Sequence, residues 1–295
     1  MTRTPTRTTP RVALATCREQ PAGDEDAPLL LAACAAAGLD VDWRVWDDAA
    51  VHWRSYDLVV IRSTWDYAPR RDDFVAWAQS QPRLANPADV IRWNTDKTYL
   101  RDLAAAGVPV VPTAHLEPGG APAWPADWAE VVVKPAVSAG GQDTARYRPA
   151  EADRARADAA KLLAAGRRVL VQPYLAAVDE VGETAVVHVG GRYSHALGKA
   201  ALLVPGGAAE IDELWRPERI EAREPAAAER ALAEQALAAV PGGPERLLYA
   251  RVDLLPGPAG DPLVVEVELT EPSLFLTAVP AAADRFAAAI RRAVS

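Results

Sequence analysis

The stretch of sequence that says most about this chain is Arg251-Val-Asp-Leu-Leu-Pro-Gly-Pro-Ala-Gly-Asp-Pro-Leu-Val-Val-Glu-Val-Glu-Leu269. Its Pro- and Gly-rich middle predicts a turn between two short strands. Arg251 and Asp253 are two residues apart, as are Glu266 and Glu268, so each pair shares one face of its strand. If the strands pair across the turn, one face gathers three carboxylates and an arginine.

These charges lie among hydrophobic residues, and buried carboxylates are costly unless a cation compensates them. A hard cation such as Mg²⁺ would do so, because it binds one or two carboxylates together with substrate phosphates. The alternative is a solvated strand face with scattered charges. That alternative suits a single charged pair better than two pairs in one hairpin.

Three of the chain's few lysines occupy informative positions. Lys97 is predicted near a helix start, Lys134 follows three valines at the end of a strand, and Lys199 ends a hairpin strand. A lysine in a buried strand needs an anionic partner, and the following Ser138-Ala-Gly-Gly141 lets backbone N–H groups approach phosphates. The alternative is three surface lysines. The loop is not a Walker A loop, because no Gly-Lys-Ser/Thr follows.

Strands and helices alternate in the first part of the chain, which predicts a parallel sheet covered by helices. In such sheets ligands bind beyond the carboxyl ends of the strands, where the sequence places Thr16 and the loop Arg62-Ser-Thr-Trp-Asp-Tyr67. The predicted substrate contacts are Thr16, Arg62, Ser63, Trp65 and Asp66. The alternative is that Arg62 and Asp66 only pair with each other at the surface.

Patterning also predicts the later elements. They are a helix from Asn94 or Thr95 to Gly107, strands Val131–Pro135 and Val169–Leu175, a helix Ala150–Ala165, a hairpin of Glu183–Val189 and Arg192–Lys199, a helix Pro225–Ala239, strands Leu247–Leu254 and Leu263–Leu269, and a helix Pro280–Val294.

Composition bounds the function. A chain of 295 residues with a net charge of −8 and no long basic block does not fit a nucleic-acid partner. No apolar run suits a membrane helix, and two cysteines without metal-ligand spacing suit a reducing compartment. We therefore expect a cytoplasmic protein with a disordered lead-in over Met1–Pro10; a homodimer is left open.

Taken in order, the motifs resemble the ATP-grasp superfamily, in particular the branch with glutathione synthetase and D-alanine–D-alanine ligase. The motifs are Lys97, Lys134-Pro, Gln172-Pro-Tyr-Leu175, Lys199, Arg251-Val-Asp253 and Glu266-Val-Glu-Leu-Thr-Glu-Pro272. Five sequence segments also resemble a narrower branch of the superfamily, which includes the O-ureidoserine cyclo-ligase of D-cycloserine biosynthesis. These segments are Arg62–Tyr67, Asn94-Thr-Asp-Lys97, Lys134–Gly141, Ser194-His195 and Glu268–Phe275.

The resemblance implies an α/β protein: an N-terminal parallel-sheet domain over residues 11–92, then a two-part ATP-grasp unit with a small lobe over 93–175 and a C-terminal lobe over 176–295. It implies ATP and Mg²⁺ as cofactors. The implied nucleotide contacts are Lys97, Lys134, Ser138, Gly140, Gly141, Gln172, Tyr174, Leu175, either Asp179 or Glu180 for the ribose, and Lys199. The implied metal ligands are Asp253, Glu266 and Glu268, and the implied catalytic residues are Arg251 and Lys199. The superfamily commonly has Glu-x-Asn where this chain has Glu266-Val-Glu268, a difference that adds a negative charge and keeps an oxygen ligand.

The implied reaction activates the carboxylate of a small amino-acid-like substrate as an acyl phosphate, with release of ADP. The expected special case closes a ring through a nucleophile in the same molecule. One alternative is an intermolecular ligase that makes a peptide-like bond; another is a non-catalytic nucleotide-binding regulatory protein. Whether His195 acts as a base is left open.

Overall fold

The computed structural model describes residues 9–120, 124–203 and 219–295; most of the predicted N-terminal lead-in lies outside them. The chain begins with a parallel sheet in the order β2-β1-β3-β4, which confirms the predicted α/β class. Its strands are β1 (Arg11–Thr16), β2 (Asp40–Val45), β3 (Leu58–Ser63) and β4 (Leu84–Ala85). Its helices are α1 (Ala27–Ala36), α2 (Arg71–Ser80) and α3 (Ala88–Asn94).

Two later sheets are antiparallel. The smaller has the order β5-β8-β6-β7 and the larger the order β11-β10-β9-β12-β13. The first consists of β5 (Ala114–Leu116), β6 (Val131–Pro135), β7 (Ala145–Tyr147) and β8 (Val169–Pro173), and the second of β9 (Glu183–Val189), β10 (Arg192–Lys199), β11 (Ile220–Arg223), β12 (Tyr249–Pro256) and β13 (Pro262–Glu268). The accompanying helices are α4 (Tyr99–Ala105), α5 (Ala152–Ala164), α6 (Val178–Val181), α7 (Ala227–Ala238) and α8 (Ala281–Ala293).

The first and last parts of the chain share one hydrophobic core. Leu14 of β1 and Leu30 of α1 belong to the same buried cluster as Val187 of β9 and Phe286 of α8. Helix α8 joins this core because its apolar residues recur at helical spacing on one face. The small antiparallel sheet has a separate core, in which α5 covers β6 and β8. The parallel sheet and the larger antiparallel sheet therefore share one core, whereas the smaller antiparallel sheet forms a lobe with a core of its own.

The helix expected from Asn94 or Thr95 to Gly107 was predicted with the wrong start. Asn94 is the last residue of α3, Lys97 lies in the following turn, and the next helix begins at Tyr99. The Asn94 side chain does not cap a helix; it forms hydrogen bonds with the backbone of β13. The Asn94 amide, which at a helix start could act as a cap, is instead engaged by the backbone of residues 267 and 269.

Candidate active site

A cavity of about 550 Å³ lies between the two antiparallel sheets and extends to the parallel sheet. Its wall combines basic, acidic and apolar side chains. The charged and polar residues on it include Gln20, Asp24, Lys97, Lys134, Ser138, Gln172, Glu183, Lys199, Arg251, Asp253, Glu266, Glu268 and Glu271. This mixture suits a ligand that has both an anionic part and an apolar ring.

The strands β12 and β13 pair as predicted, with Arg251 opposite Glu268 and Asp253 opposite Glu266. Arg251 donates to both oxygens of Asp253 at 2.8 Å and also to Glu268. Its remaining terminal nitrogen donates to the carbonyl of Ser273 at 3.0 Å. The guanidinium is therefore fixed in one orientation at the cavity wall.

The carboxylates on this face have opposite pKa shifts. Burial would raise the pKa of Asp253, yet Arg251 and Lys199 hold it well below its ordinary value. Glu268 behaves differently, because burial and the nearby Asp253 and Glu266 raise its pKa to about 7 despite Arg251. A cation bound nearby would favour the ionised form of Glu268.

The carboxylates of this face can supply only part of the ligand set of an Mg²⁺ ion. Among the residues that the structure describes, no three acidic, histidine or cysteine side chains converge closely enough to hold a metal ion on their own. Asp253 and Glu268 instead contact Arg251, and Glu266 pairs with Lys97 at 3.0 Å. The arrangement fits a hexacoordinate cation that takes most of its ligands from phosphates and water.

The three predicted lysines lie on the cavity wall. Lys97 donates to the carbonyl oxygen of Ser138 at 2.7 Å, which ties it to the glycine loop, and Glu266 raises its pKa against the effect of burial. Burial lowers the pKa of Lys134, whose ammonium has no hydrogen-bond or ion-pair partner within the described ranges. Gly140 and Gly141 have φ values of 61° and 73°, a conformation that glycine adopts without strain.

The predicted adenine contacts also lie on the wall. Gln172 donates to Thr113 at 2.9 Å, and Tyr174 and Leu175 follow it where β8 leaves the small sheet. The apolar residues Val111 and Val132 line the same part of the cavity. The result is a slot with an apolar face.

Neither of the two acids predicted for the ribose lines the cavity. Asp179 and Glu180 are exposed and do not line the cavity; Asp179 accepts from Arg146 and, at 2.5 Å, from the Tyr174 hydroxyl. Glu183, the first residue of β9, does line it and accepts from Lys199 at 2.7 Å. Glu183 lies directly opposite Lys199 in the β9–β10 hairpin, and this predicted pairing was the signal that could have drawn attention to it.

Most of the predicted substrate contacts do not line the cavity but lie beneath its surface. Thr16 and Ser63 are buried and contact each other at 2.8 Å. The Arg62 side chain is fully buried, whereas Asp66 accepts from Trp46 and pairs with Arg70. Trp65 alone of the five predicted contacts lines the cavity.

The wall at this end consists of residues that sequence reasoning missed. Gln20 and Asp24–Asp26 follow β1 and line the cavity. Asp24 lies 3.8 Å from a terminal nitrogen of Arg62, and no nitrogen of that guanidinium has a hydrogen-bond partner within the described ranges. The expected alternative, an Arg62–Asp66 surface pair, is wrong: Arg62 instead supports Asp24 from behind.

His195 is buried away from the cavity wall, with both ring nitrogens engaged. Nδ1 lies 2.9 Å from the Ser194 hydroxyl and Nε2 lies 2.8 Å from the carbonyl oxygen of Leu274. Burial lowers its pKa. These contacts support a role in holding the loop before α8.

Comparison with known proteins agrees with this geometry. Residues 12–86 match the family described as D-cycloserine synthetase DcsG, N-terminal domain. The chain is 40% identical over 281 residues to the cycloserine biosynthesis protein DcsG of Streptomyces lavendulae, covering 90% of this chain and 93% of that protein. The chain belongs to the DcsG family of ATP-grasp ligases.

Solved structures extend the likeness to the whole chain. The crystal structure of D-cycloserine synthetase DcsG superposes with a TM-score of 0.86 at 37% identity and covers 97% of this chain and 100% of that one. D-alanine–D-alanine ligase from Bacillus anthracis, complexed with ATP, superposes with a TM-score of 0.63 at 14% identity over 97% of each chain, which shows a shared fold. No helix within the described residues is both long and apolar enough to cross a bilayer.

Proposed function

We propose that this DcsG family member uses ATP and Mg²⁺ to activate the carboxylate of a small amino-acid derivative, and that a nucleophile in the same molecule then closes a ring. ADP and phosphate leave. The observation that carries the proposal is one cavity in which the basic phosphate side meets an acidic wall from the parallel-sheet lobe. The relatives named for cycloserine biosynthesis support ring closure as the special case.

The nucleotide would lie between the two antiparallel sheets. Gln172, with the backbone of Tyr174 and Leu175, would read the adenine edge. Glu183 would hold the ribose hydroxyls, because it lines the cavity whereas Asp179 and Glu180 do not. The phosphates would then extend along the basic side, which is formed by Lys97, Lys134, Lys199 and the Ser138–Gly141 loop.

The amino-acid derivative would approach from the parallel-sheet lobe. Its ammonium group would meet Asp24, whose carboxylate lies beside Arg62 and also accepts the backbone N–H of Asp26 at 3.2 Å. Trp65 would form an apolar side of the pocket, since its indole is fixed by a 3.0 Å hydrogen bond to the carbonyl oxygen of Glu271. The substrate carboxylate would then point toward Arg251 and the phosphate side.

In the first step a carboxylate oxygen attacks the γ-phosphorus, the bond from phosphorus to the bridging oxygen breaks, and ADP takes the electron pair. Arg251, which is held rigidly by Asp253 and Ser273, stabilises the charge on the transferred group. Mg²⁺, when bound through Glu266, Glu268 or Asp253, would supply further neutralisation.

In the second step the internal nitrogen attacks the acyl carbon, the bond from that carbon to the phosphate oxygen breaks and phosphate leaves, and the nitrogen loses its proton to the departing phosphate or to water. Ring closure within one bound molecule gains effective molarity, so the cavity has only to fold the substrate. No second substrate is required.

The test is a product count with purified protein. ATP consumption is measured over a panel of amino-acid carboxylates that includes both enantiomers of O-ureidoserine, alone and with added amines. We expect stoichiometric ADP and a cyclic product from a single amino-acid substrate. Dependence on an added amine would instead indicate an intermolecular ligase, and nucleotide binding without turnover on any substrate would indicate a regulatory protein.

A further inference from the structure

The outer edge of β13 is completed by side chains in place of a neighbouring strand. β13 is the last strand of its sheet, with β12 on its inner side only. Such an edge leaves backbone N–H and C=O groups without partners. Near Val264 the edge pairs with the backbone of residues 109–111. Beyond that point the partners are the side chains of Asn86, Asn94 and Tyr99.

Tyr99 and Asn94 converge on one residue of the edge. The Tyr99 hydroxyl donates to the carbonyl oxygen of Val267 at 3.0 Å and accepts the N–H of the same residue at 2.9 Å. The Asn94 amide donates to the same carbonyl at 2.6 Å, and its oxygen accepts the N–H of Leu269 at 2.8 Å. Both side chains are buried. One backbone unit of the edge strand is therefore held by three side-chain hydrogen bonds.

Val267 is the residue between the two glutamates of the cavity wall. Its side chain points into the hydrophobic core, so Glu266 and Glu268 point the opposite way, into the cavity. A displacement of the Val267 backbone would move both carboxylates together. The side-chain bonds thus act on the group that the fold presents to a metal.

An irregularity in the strand makes this support necessary. Asp253 pairs with Glu266 but Leu254 pairs with Val264, which leaves Val265 without a partner in the ladder. Such a bulge bends the strand and loosens its local pairing. The bulge immediately precedes Glu266, so the inner ladder alone fixes the carboxylates less firmly than a regular strand would.

We propose that Tyr99 and Asn94 are positioning residues that set the separation and direction of the Glu266 and Glu268 carboxylates for the metal–nucleotide complex. The inference rests on the proposed function. It assigns to the end of α3 and the start of α4 a role in metal binding, although neither side chain belongs to the cavity wall.

The test uses Tyr99→Phe, which keeps the ring and removes only the hydroxyl, with Asn94→Ser as a second variant in case the first does not fold. Tyr147→Phe is the matched control, because Tyr147 is equally buried and its hydroxyl donates to Asp158 at 2.8 Å in the small lobe. Binding of Mn²⁺ is followed by the loss of its free electron-spin-resonance signal in the presence of a β,γ-imido analogue of ATP. Binding of the analogue without metal and thermal unfolding are measured in parallel.

We expect Tyr99→Phe to raise the dissociation constant for Mn²⁺ by about 10-fold, the lower end of the effect of removing an outer support of metal ligands. Metal-free binding of the analogue should stay within about twofold, on the scale of less than one hydrogen bond. Equal Mn²⁺ affinity in Tyr99→Phe, Asn94→Ser and the Tyr147→Phe control would overturn the inference while leaving the proposed function intact. A wild-type protein that binds no Mn²⁺ with the analogue would overturn both.

Discussion

The two ends of the cavity are built differently. At the end proposed to bind the phosphates, called the phosphate end, most charged side chains come from strands and pair across one hairpin, as with Arg251 and Asp253 opposite Glu268 and Glu266. At the end formed by the parallel-sheet lobe, the wall consists of loop residues such as Asp24 and Trp65. Strand geometry fixes which side chains share a face, whereas a loop's side chains are directed by tertiary contacts. The comparison teaches that the same cavity has one end set by local periodicity and one end set by packing.

The largest effect is expected for the paired carboxylates of the β12–β13 hairpin. Asp253→Asn and Glu266→Gln should each reduce ATP turnover by about 100-fold or more, the scale of losing a group that organises transition-state charge. Turnover is measured against Mg²⁺ concentration. The exposed Asp261 in the turn of the same hairpin provides a matched control, Asp261→Asn, which should keep wild-type turnover.

Thermal unfolding separates chemistry from folding in these variants, because Asp253 compensates the buried charges of Arg251 and Lys199. Near-normal turnover in both variants at limiting Mg²⁺ would show that the hairpin does not serve the metal. The contrast drawn above between the two ends of the cavity would then not extend to metal binding.

A smaller effect is expected for the lysine of the small sheet. Lys134→Met keeps the apolar stem and removes a charge that has no partner within the described ranges, so folding should survive. Affinity for ATP, measured by calorimetry, should fall by about 10-fold, equivalent to about 1.4 kcal/mol. Lys161→Met on α5 is the control, since Lys161 is exposed and remote from the cavity. Unfolding without loss of affinity would identify Lys134 as a structural lysine.

The sequence predicted the parallel sheet, the hairpins and the pairing of β12 with β13, because these depend on period-two patterning and on turns rich in Gly and Pro. It did not predict α2 or α3, which are short and lack side-chain caps. In the loop Arg62–Tyr67, residue types alone do not show which side chains point into the cavity. Arg62, Ser63 and Asp66 have suitable chemistry, but their neighbours in the fold turn them away from the cavity.

The substrate wall can be tested by comparing the two aspartates. We expect Asp24→Asn to raise KM for the amino-acid substrate by about 10-fold and to leave KM for ATP unchanged, because a charge-assisted contact to the ammonium is lost. Asp66→Asn is the matched control, since Asp66 is held by Trp46 and Arg70 outside the cavity. Steady-state kinetics with each substrate varied in turn measures both constants. An increase confined to Asp66→Asn would place the substrate on the loop after β3.

The smallest effect concerns a buried ionisable group that serves neither end of the cavity. His188 on β9 is buried beside Tyr193, and neither ring nitrogen has a hydrogen-bond partner among the described residues. Burial lowers its pKa to about 4, with Glu234 and Arg230 as the nearest charged influences. The unfolded chain binds a proton near pH 6.5 and the folded one does not until about pH 4. The free energy of unfolding is therefore unaffected by His188 protonation above pH 6.5, and it decreases as the pH falls from 6.5 toward 4.

Replacement of His188 by Leu removes this linkage. Between pH 7.5 and pH 5 the wild-type free energy of unfolding should fall by about 1–2 kcal/mol more than that of His188→Leu, given about 1.4 kcal/mol per pKa unit. Urea unfolding at the two pH values measures the difference. ATP turnover at pH 7.5 should be unchanged, in contrast to every variant of the cavity wall. An equal loss of stability in both proteins would mean that His188 is already protonated in the fold at pH 5, and its burial would then have to be compensated by a charge such as Glu234.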